Sequence, residues 1–246
     1  MTSGHGSRSV ARPQRLGAVL MHEIIGRIAT GRLAEGTFLP TEPELQAEFD
    51  MSRTALREGL KAVEDRGLIS IRQGRGAQVQ PRERWNLMDS AVLTALLDHH
   101  PTPEIFEQMM GTRMMLEPAL AAAAAQRISD ADLDRLGTLL DEMAGQFDDA
   151  DAFLENDIRF HQIVADAAGN LIARSIMLMM EQPLRSSRRL TNTIPRALEQ
   201  GQEAHRRIYD QLRAHDGPRA EQAMHEHLRW SAAELSQRWR APAATA

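Results

Sequence analysis

The sequence predicts a mainly α protein, with a head of three helices and a β-hairpin followed by an all-α helical bundle. Aromatic residues make up only 4% of the 246 residues, and no long alternation of β-branched residues occurs. From Leu87 almost to the end, apolar residues recur at helical spacing. The one hairpin pattern lies between Leu68 and Gln80. Strands are therefore expected only in the head.

The first two helices of the head are indicated by apolar spacing and by capping residues. A helix is predicted from about residue 16 to 29, because apolar side chains recur every three or four positions and Gly31 follows them. These side chains are Leu16, Val19, Leu20, Ile24 and Ile28. The second helix is predicted to open at the N-cap Thr41, with Glu44 at the capping-box position.

The third helix, which starts after the N-cap Ser52, is expected to have two different faces. Its apolar face consists of Leu56, Leu60 and Val63. Its basic face consists of Arg53, Arg57 and Lys61. One face can pack on the head while the other meets phosphates and base edges, as a recognition helix requires. Gly67 ends the helix, and a hairpin follows that turns at Gly74-Arg75-Gly76.

Charge is distributed unevenly along the chain. The first 80 residues contain 11 Lys and Arg against 9 Asp and Glu, whereas the remainder contains 18 against 25, for a total net charge of −5. The negative total charge alone would argue against nucleic-acid binding. A slightly basic head beside an acidic domain is, however, compatible with a protein that contacts DNA.

Together these elements resemble the winged helix-turn-helix of the GntR superfamily over about residues 15–80. The matching residues are Leu39-Pro40-Thr41-Glu42, Leu45, Ser52-Arg53-Thr54, Leu56-Arg57-Glu58, Gly67-Leu68-Ile69 and Gly74-Arg75-Gly76. The resemblance implies that the head binds double-stranded operator DNA. The DNA contacts are expected at Ser52, Arg53, Thr54, Arg57, Lys61, Gly74 and Arg75. Pro43 stands where FadR-type members often have Arg, which removes one expected base contact.

The remaining boundaries follow from breaks in the helical pattern. Residues 1–14 are expected to be a disordered tail, and residues 81–88 a linker. Residues 89–240 are expected to form an all-α domain for effector binding and dimerisation. Its predicted helices span 89–98, 103–127, 130–146, 150–168, 170–190, 195–215 and 217–239, separated by Pro, Gly and Asn residues.

Four side chains in the bundle suggest a metal site. Asp157 and His161 are four residues apart and therefore share a helix face, while His205 and His227 lie on later helices. If they converge, three imidazoles and a carboxylate suit a divalent transition metal. From spacing alone a structural role stays open, because a single His on a bundle helix is more often structural than a ligand.

The region from about 104 to 235 resembles the FCD effector domain of FadR-type regulators. The matching residues are Arg113-Met114-Met115-Leu116-Glu117, Asp157, Phe160-His161, Gly169-Asn170, Glu203, His205, Ala223-Met224 and His227-Leu228. In metal-containing members of this branch the Asp and three His are ligands, and an organic acid completes the shell. The resemblance therefore implies a metal at Asp157, His161, His205 and His227, with zinc first and nickel or manganese as alternatives.

Arg113 and Asn170 are the candidate effector-binding residues. A guanidinium fork matches the two oxygens of a carboxylate, although an intrahelical pair between Arg113 and Glu117 is an equal alternative. Asn170 either reaches the effector pocket or caps a helix locally. The stretch from Arg84 to Leu93 is similar to the segment after the wing in galactonate-type regulators, so a sugar acid is the first choice of effector.

The combined prediction is a transcription regulator, most simply a repressor, that is controlled by a small carboxylate. A homodimer is expected, because two heads reading a palindrome double the contacts of one recognition helix. A cytoplasmic protein without membrane spans is expected, since cysteine is absent and no long apolar run or secretory signal occurs. The alternatives are a metal-dependent hydrolase and a regulator whose metal is purely structural.

Overall fold

The computed structural model describes residues 11–99, 103–191 and 196–240, and it confirms the mainly α class. Within these ranges the only sheet is a two-stranded antiparallel hairpin in the head. The chain divides into two compact units, Met1–His100 and Pro101–Ala246, each with its own core. None of the helices in the described ranges has the length and apolarity needed to cross a membrane.

The first helix starts earlier than predicted. Helix α1 spans Ala11–Ala29 and so includes the end of the segment 1–14 that was predicted to be a disordered tail. Residues 1–10 of that tail lie outside the described part of the chain. Pro13 does not interrupt the helix, because a proline in the first turn removes only an N–H that has no intrahelical partner.

The rest of the head follows the predicted order. It consists of α2 (Glu42–Phe49), α3 (Arg53–Asp65), β1 (Ile69–Arg72) and β2 (Gly76–Val79). The predicted caps are present: the Glu44 carboxylate accepts from the backbone N–H of Thr41 at 2.7 Å, and Ser52 Oγ accepts from the backbone N–H of Ala55 at 3.3 Å. The turn between α2 and α3 contains Asp50 in the left-handed region, at φ 46°.

The core of the head forms where α1 crosses α3. The predicted apolar faces are buried, including Leu20 and Ile24 of α1 and Leu56 and Val63 of α3. Two residues predicted on the apolar face of α1 differ: Leu16 is only partly buried, and Val19 is 57% exposed. A broad helical stripe contains positions at its edge that periodicity alone cannot assign to the core.

Gly59 permits the close crossing of these two helices. A Cβ placed on Gly59 would lie 2.8 Å from Leu20 Cδ2 and 2.9 Å from the carbonyl oxygen of Gly17. Replacing Gly59 with Ala is therefore expected to lower the free energy of unfolding of the head by about 1–3 kcal/mol, the usual range for overpacking. Urea unfolding followed by circular dichroism measures this change.

Gly111→Ala in the bundle is the matched control. Nothing lies within 4 Å of a Cβ at Gly111, which is also inside a helix. This control should be neutral or stabilising by up to about 1 kcal/mol, because Ala favours helix more than Gly does. If Gly59→Ala unfolds at the same urea concentration as the unaltered protein, the helix crossing is looser than described.

The segment after the wing is attached to the head rather than extended from it. Trp85 Nε1 donates to the carbonyl oxygen of Gln80 at 2.9 Å, and the backbone N–H of Asn86 donates to the carbonyl oxygen of Arg66 at 2.8 Å. The Arg66 guanidinium pairs with Asp89 at 3.0 Å. A Cβ on Gly67 would lie only 2.0 Å from the carbonyl oxygen of Arg84, so the chain passes directly over this glycine.

Helix α4 (Ser90–His99) belongs to the first compact unit. Its apolar residues Val92, Leu96 and Leu97 are buried, and the helix packs against α1. The sequence grouped this segment with the bundle in a domain of residues 89–240, whereas the compact units divide after α4. Helical periodicity indicates that a helix has an apolar face but does not indicate which neighbour covers it.

The second unit is a bundle of helices, as predicted. It comprises α5 (Pro103–Ala125), α6 (Asp130–Ala144), α7 (Ala150–Ala167), α8 (Leu171–Thr191), α9 (Ala197–Arg213) and α10 (Gly217–Arg240). Helix α10 packs along α5 and α9, while α7 contacts α5, α6 and α8. The alanine run of α5 allows close packing, since Ala121, Ala124 and Ala125 are completely buried. This arrangement brings α5, α7, α9 and α10 together around one buried polar cluster.

Candidate DNA-binding surface and metal centre

A concave surface lies between α3 and the hairpin of the head. It is lined by most of the predicted DNA-contacting residues, namely Arg53, Arg57, Lys61, Gly74 and Arg75. The side chains of the three basic residues of α3 are between 58% and 67% exposed. Thr54 is exposed on the adjacent face of α3, and the Ser52 hydroxyl is engaged in capping that helix.

Glu42 holds the two arginines of this surface, a contact that the sequence did not predict. The Nε atoms of Arg53 and Arg57 donate to the Glu42 carboxylate at 3.4 and 3.2 Å. Exposed ion pairs of this kind contribute only about 0–1 kcal/mol, so DNA phosphates can replace them at little cost. Glu42 was part of the family match, but its partners lie 11 and 15 residues away across the turn.

The hairpin is joined to the recognition helix by Glu64. Its carboxylate accepts from the backbone N–H of Ile71 at 2.8 Å and also pairs with Lys61 at 3.0 Å. The hydrogen bond from Ile71 lowers the pKa of Glu64, aided by Lys61. At the hairpin tip Gly74 has φ +76°, a conformation that favours glycine, and nothing lies within 4 Å of a Cβ at that position. The tip is therefore a tight turn with open space around Gly74.

The four predicted metal ligands converge inside the bundle. Asp157 and His161 lie one turn apart on α7, His205 lies on α9 and His227 on α10, and all four are buried. Their potential ligand atoms all lie within 4.8 Å of one another. His205 Nε2 is 3.1 Å from Asp157 Oδ1 and 3.3 Å from His161 Nε2.

The donor set and its protonation fit a divalent transition metal. Three imidazole nitrogens and one carboxylate oxygen are ligands that zinc and nickel accept. Burial, together with His205 and His161 nearby, holds the pKa of His227 well below its usual value, so this imidazole is neutral and its lone pair is available. The Nδ1 atoms of His205 and His227 are buried without a hydrogen-bond partner among the described residues, which is unusual for polar atoms.

The depressed pKa of His227 gives a pH-dependent stability in the metal-free protein. Below the unfolded pKa of about 6.5, the unfolded chain takes up a proton that the folded chain does not. Stability should therefore fall as the pH drops through 6.5, by at most about 1.4 kcal/mol per pH unit for this group. Urea unfolding in a chelator at pH 7.5 and 5.5 measures the loss. It should be smaller in His227→Gln than in His225→Gln, and equal losses would contradict the assignment.

Helix α5 carries a buried ion pair next to the cluster, on the side where α5 packs against α7. Arg113 and Glu117 pair with each other and are only 2% and 3% exposed, and Glu117 Oε2 lies 2.6 Å from His161 Nδ1. Burial alone would raise the pKa of Glu117, but the charge of Arg113 and the contact with His161 lower it well below its usual range. The contact between Glu117 and His161 was not predicted, because it joins two helices.

The structure bears on both candidate effector residues. For Arg113, the intrahelical pair with Glu117 is present. The hydrogen bond found for its Nη1 atom among the described residues goes to the thioether sulfur of Met110, at 3.9 Å. Asn170 is exposed and its Oδ1 accepts from the backbone N–H of Ala173 at 3.1 Å, which is the local capping role and lies outside the buried cluster.

These features define a class of protein, a transcription regulator that binds DNA through a winged head and carries a separate helical domain. Residues 17–79 match the family described as bacterial regulatory proteins, gntR family, and residues 108–229 match the FCD domain. The chain belongs to the GntR family of transcription regulators and carries an FCD domain. The matched families contain regulators, which confirms the prediction of a regulator over that of an enzyme.

The sequence alignments with curated relatives cover most of the chain. The galactonate operon transcriptional repressor of Escherichia coli K12 is 33% identical over 80% of this chain and 86% of its own length. The HTH-type transcriptional regulator LutR of Bacillus subtilis is 32% identical over 82% and 92%. The structure of Lar, which controls the expression of the agr system of Listeria monocytogenes, aligns with 95% of this chain and 99% of its own chain, with a TM-score of 0.62. Its sequence identity to this chain is 17%, so this similarity shows the fold alone.

Proposed function

We propose that this chain is a repressor whose operator binding is controlled by a small carboxylate at a divalent metal, with a sugar acid as the leading class. The observation that carries the proposal is the buried set of Asp157, His161, His205 and His227, whose ligand atoms lie within 4.8 Å of one another. The name of the E. coli galactonate operon repressor supports both the repressor role and the sugar-acid class.

The charges around the cluster favour an anionic effector. Arg113 is positive, Glu117 and Asp157 are negative, and at least His227 is neutral. If the other two imidazoles are also neutral, a divalent metal held by the four ligands would bring the net charge of these groups to about +1. A buried charge that is not balanced is costly. A carboxylate would balance it, with Arg113 Nη1 free of oxygen acceptors among the described residues. When bound, the metal would supply a Lewis acid for a carboxylate oxygen.

The head supplies the operator contacts in this proposal. Arg53, Arg57 and Lys61 offer a basic helix face to the major groove, and an arginine that reads guanine discriminates by about 1–3 kcal/mol. Effector binding would favour a bundle arrangement in which the heads no longer fit the operator. Useful control of this kind requires a coupling free energy of about 1–3 kcal/mol between the two sites.

Helix α8 supports the proposed homodimer. Leu171, Ile172 and Leu178 are exposed by 75%, 74% and 39%, and Leu171 and Leu178 are seven residues apart, on the same helix face. Replacing Leu178 with Glu is expected to shift the mass in light scattering from twice the 27.5 kDa chain toward the single chain. Val19→Glu, an equally drastic change on an exposed residue of the head, should leave the dimer intact. An unchanged mass for Leu178→Glu would place the dimer elsewhere.

The effector proposal is tested with zinc-loaded protein. Thermal shift with D-galactonate, D-gluconate and the neutral sugar D-galactose should show stabilisation by an acid and none by galactose. The stabilising acid should also release the protein from duplexes selected out of a random-sequence library. A protein that contains metal but responds to no carboxylate would favour the alternative of a purely structural metal.

A further inference from the structure

The three imidazoles of the metal cluster differ in how their Nδ1 atoms are held. In the described part of the chain, Nδ1 of His205 and Nδ1 of His227 are buried without a hydrogen-bond partner. Among these three atoms in the described residues, the one with a carboxylate beside it is Nδ1 of His161, which lies 2.6 Å from Oε2 of Glu117. His161 Nε2 faces the cluster, 3.3 Å from His205 Nε2 and 3.9 Å from Asp157 Oδ1. The two nitrogens of His161 therefore face different groups.

We propose that Glu117 is a positioning residue for the metal, which fixes His161 with its proton on Nδ1 and its lone pair on Nε2. An ionised carboxylate can only accept, so the nitrogen that contacts it must carry the proton. The other nitrogen is then the one available to a metal, and it already faces Asp157 and His205. The inference deepens the proposed function and depends on the metal site described there.

Arg113 holds the Glu117 carboxylate in place for this role. Its Nε pairs with Oε1 of Glu117, and its Nη2 lies 3.3 Å from Oε2, so both carboxylate oxygens are held. The same Arg113 offers its Nη1 to a carboxylate effector, so Glu117 links the anion-binding group to a metal ligand.

Metal affinity tests the proposal directly. Co²⁺ serves as the probe, because its visible absorption reports binding and ligand geometry, and competition with a chelator gives the dissociation constant. Glu117→Gln should weaken Co²⁺ binding by about 10–100-fold, the usual effect of losing an outer-shell partner, because an amide can turn either its oxygen or its nitrogen to His161. Zn²⁺ should likewise bind more weakly to Glu117→Gln than to the unaltered protein.

Glu142→Gln is the matched control. The Glu142 carboxylate accepts from Asn156 Nδ2 at 3.0 Å, so it also contacts α7, one residue before a ligand. Its loss removes the same charge and should leave the affinity unchanged. An unaltered protein that binds neither Co²⁺ nor Zn²⁺ would overturn the metal proposal as a whole. Wild-type affinity in Glu117→Gln, beside normal binding by the unaltered protein, would overturn only the role of Glu117.

A second measurement does not depend on whether Glu117→Gln folds. Long-range ¹H–¹⁵N correlation spectra of the unaltered, metal-free protein, labelled on histidine, report which ring nitrogen of each imidazole carries the proton. The signals of His161 are those missing in His161→Gln. A proton on Nδ1 of His161 is expected, and a proton on Nε2 would overturn the proposal even if Glu117→Gln fails to fold.

Discussion

Replacing Arg57 with Ala is expected to weaken specific operator binding at least about fivefold while the head stays folded. The side chain is exposed and lines the concave surface, and its only charged contact in the described structure is the weak pair with Glu42. A lost base contact of about 1–3 kcal/mol corresponds to roughly a fivefold to 150-fold loss. Fluorescence anisotropy with a selected operator duplex, at several salt concentrations, measures both the affinity and the number of phosphate contacts.

Two comparisons make the Arg57 result interpretable. Arg135→Ala removes the same charge from an exposed position in the bundle and should not change the affinity. If Arg57 reads a base, its loss should reduce the preference for the operator over unrelated DNA with little change in salt dependence. If it contacts only a phosphate, the salt slope should fall by about one unit and the preference should remain. Unchanged binding in both respects would exclude Arg57 from the DNA interface.

Replacing His205 with Gln is expected to abolish metal retention. Its Nε2 is within 3.3 Å of both Asp157 Oδ1 and His161 Nε2, so it occupies the middle of the ligand set. An amide oxygen is a much poorer ligand than imidazole for zinc or nickel. Elemental analysis of purified protein after dialysis should fall from about one metal per chain to a trace, and the response to any carboxylate should disappear with it.

His225→Gln serves as the control for His205→Gln. His225 is two residues from His227 on α10 but is not part of the cluster. This variant should retain the metal. Without effector, the unaltered protein, His205→Gln and His225→Gln should bind DNA equally well, because the recognition surface consists entirely of residues of the head. Retention of metal by His205→Gln would show that His205 is not a required ligand and would contradict the assigned metal site.

Local signals predicted the head well because its determinants are local. The capping residues Thr41 and Ser52 and the two faces of α3 are read from residues three or four positions apart. The same reasoning could not place the pairs that Glu42 forms with Arg53 and Arg57, which depend on how two helices meet. Nor could it show that α4 covers α1, since an apolar face does not identify its partner.

The bundle shows the same limit more clearly. The spacing of Asp157 and His161 indicates a shared face, but only the family resemblance indicated that His205 and His227 belong with them. The structure brings them together because α7, α9 and α10 all border α5. Glu117 appeared in the sequence only as a possible partner of Arg113. Its approach to His161 depends on the packing of α5 against α7 and has no local signature.

The attachment of Trp85, Asn86 and Asp89 to the head has a practical consequence for separating the two halves of the protein. A fragment that ends with the wing at residue 80 would leave the carbonyl oxygen of Gln80 without the Trp85 donor and the guanidinium of Arg66 without Asp89. It would also uncover the apolar side of α1 on which α4 packs. A fragment that behaves as an independent DNA-binding protein must instead extend through residue 99.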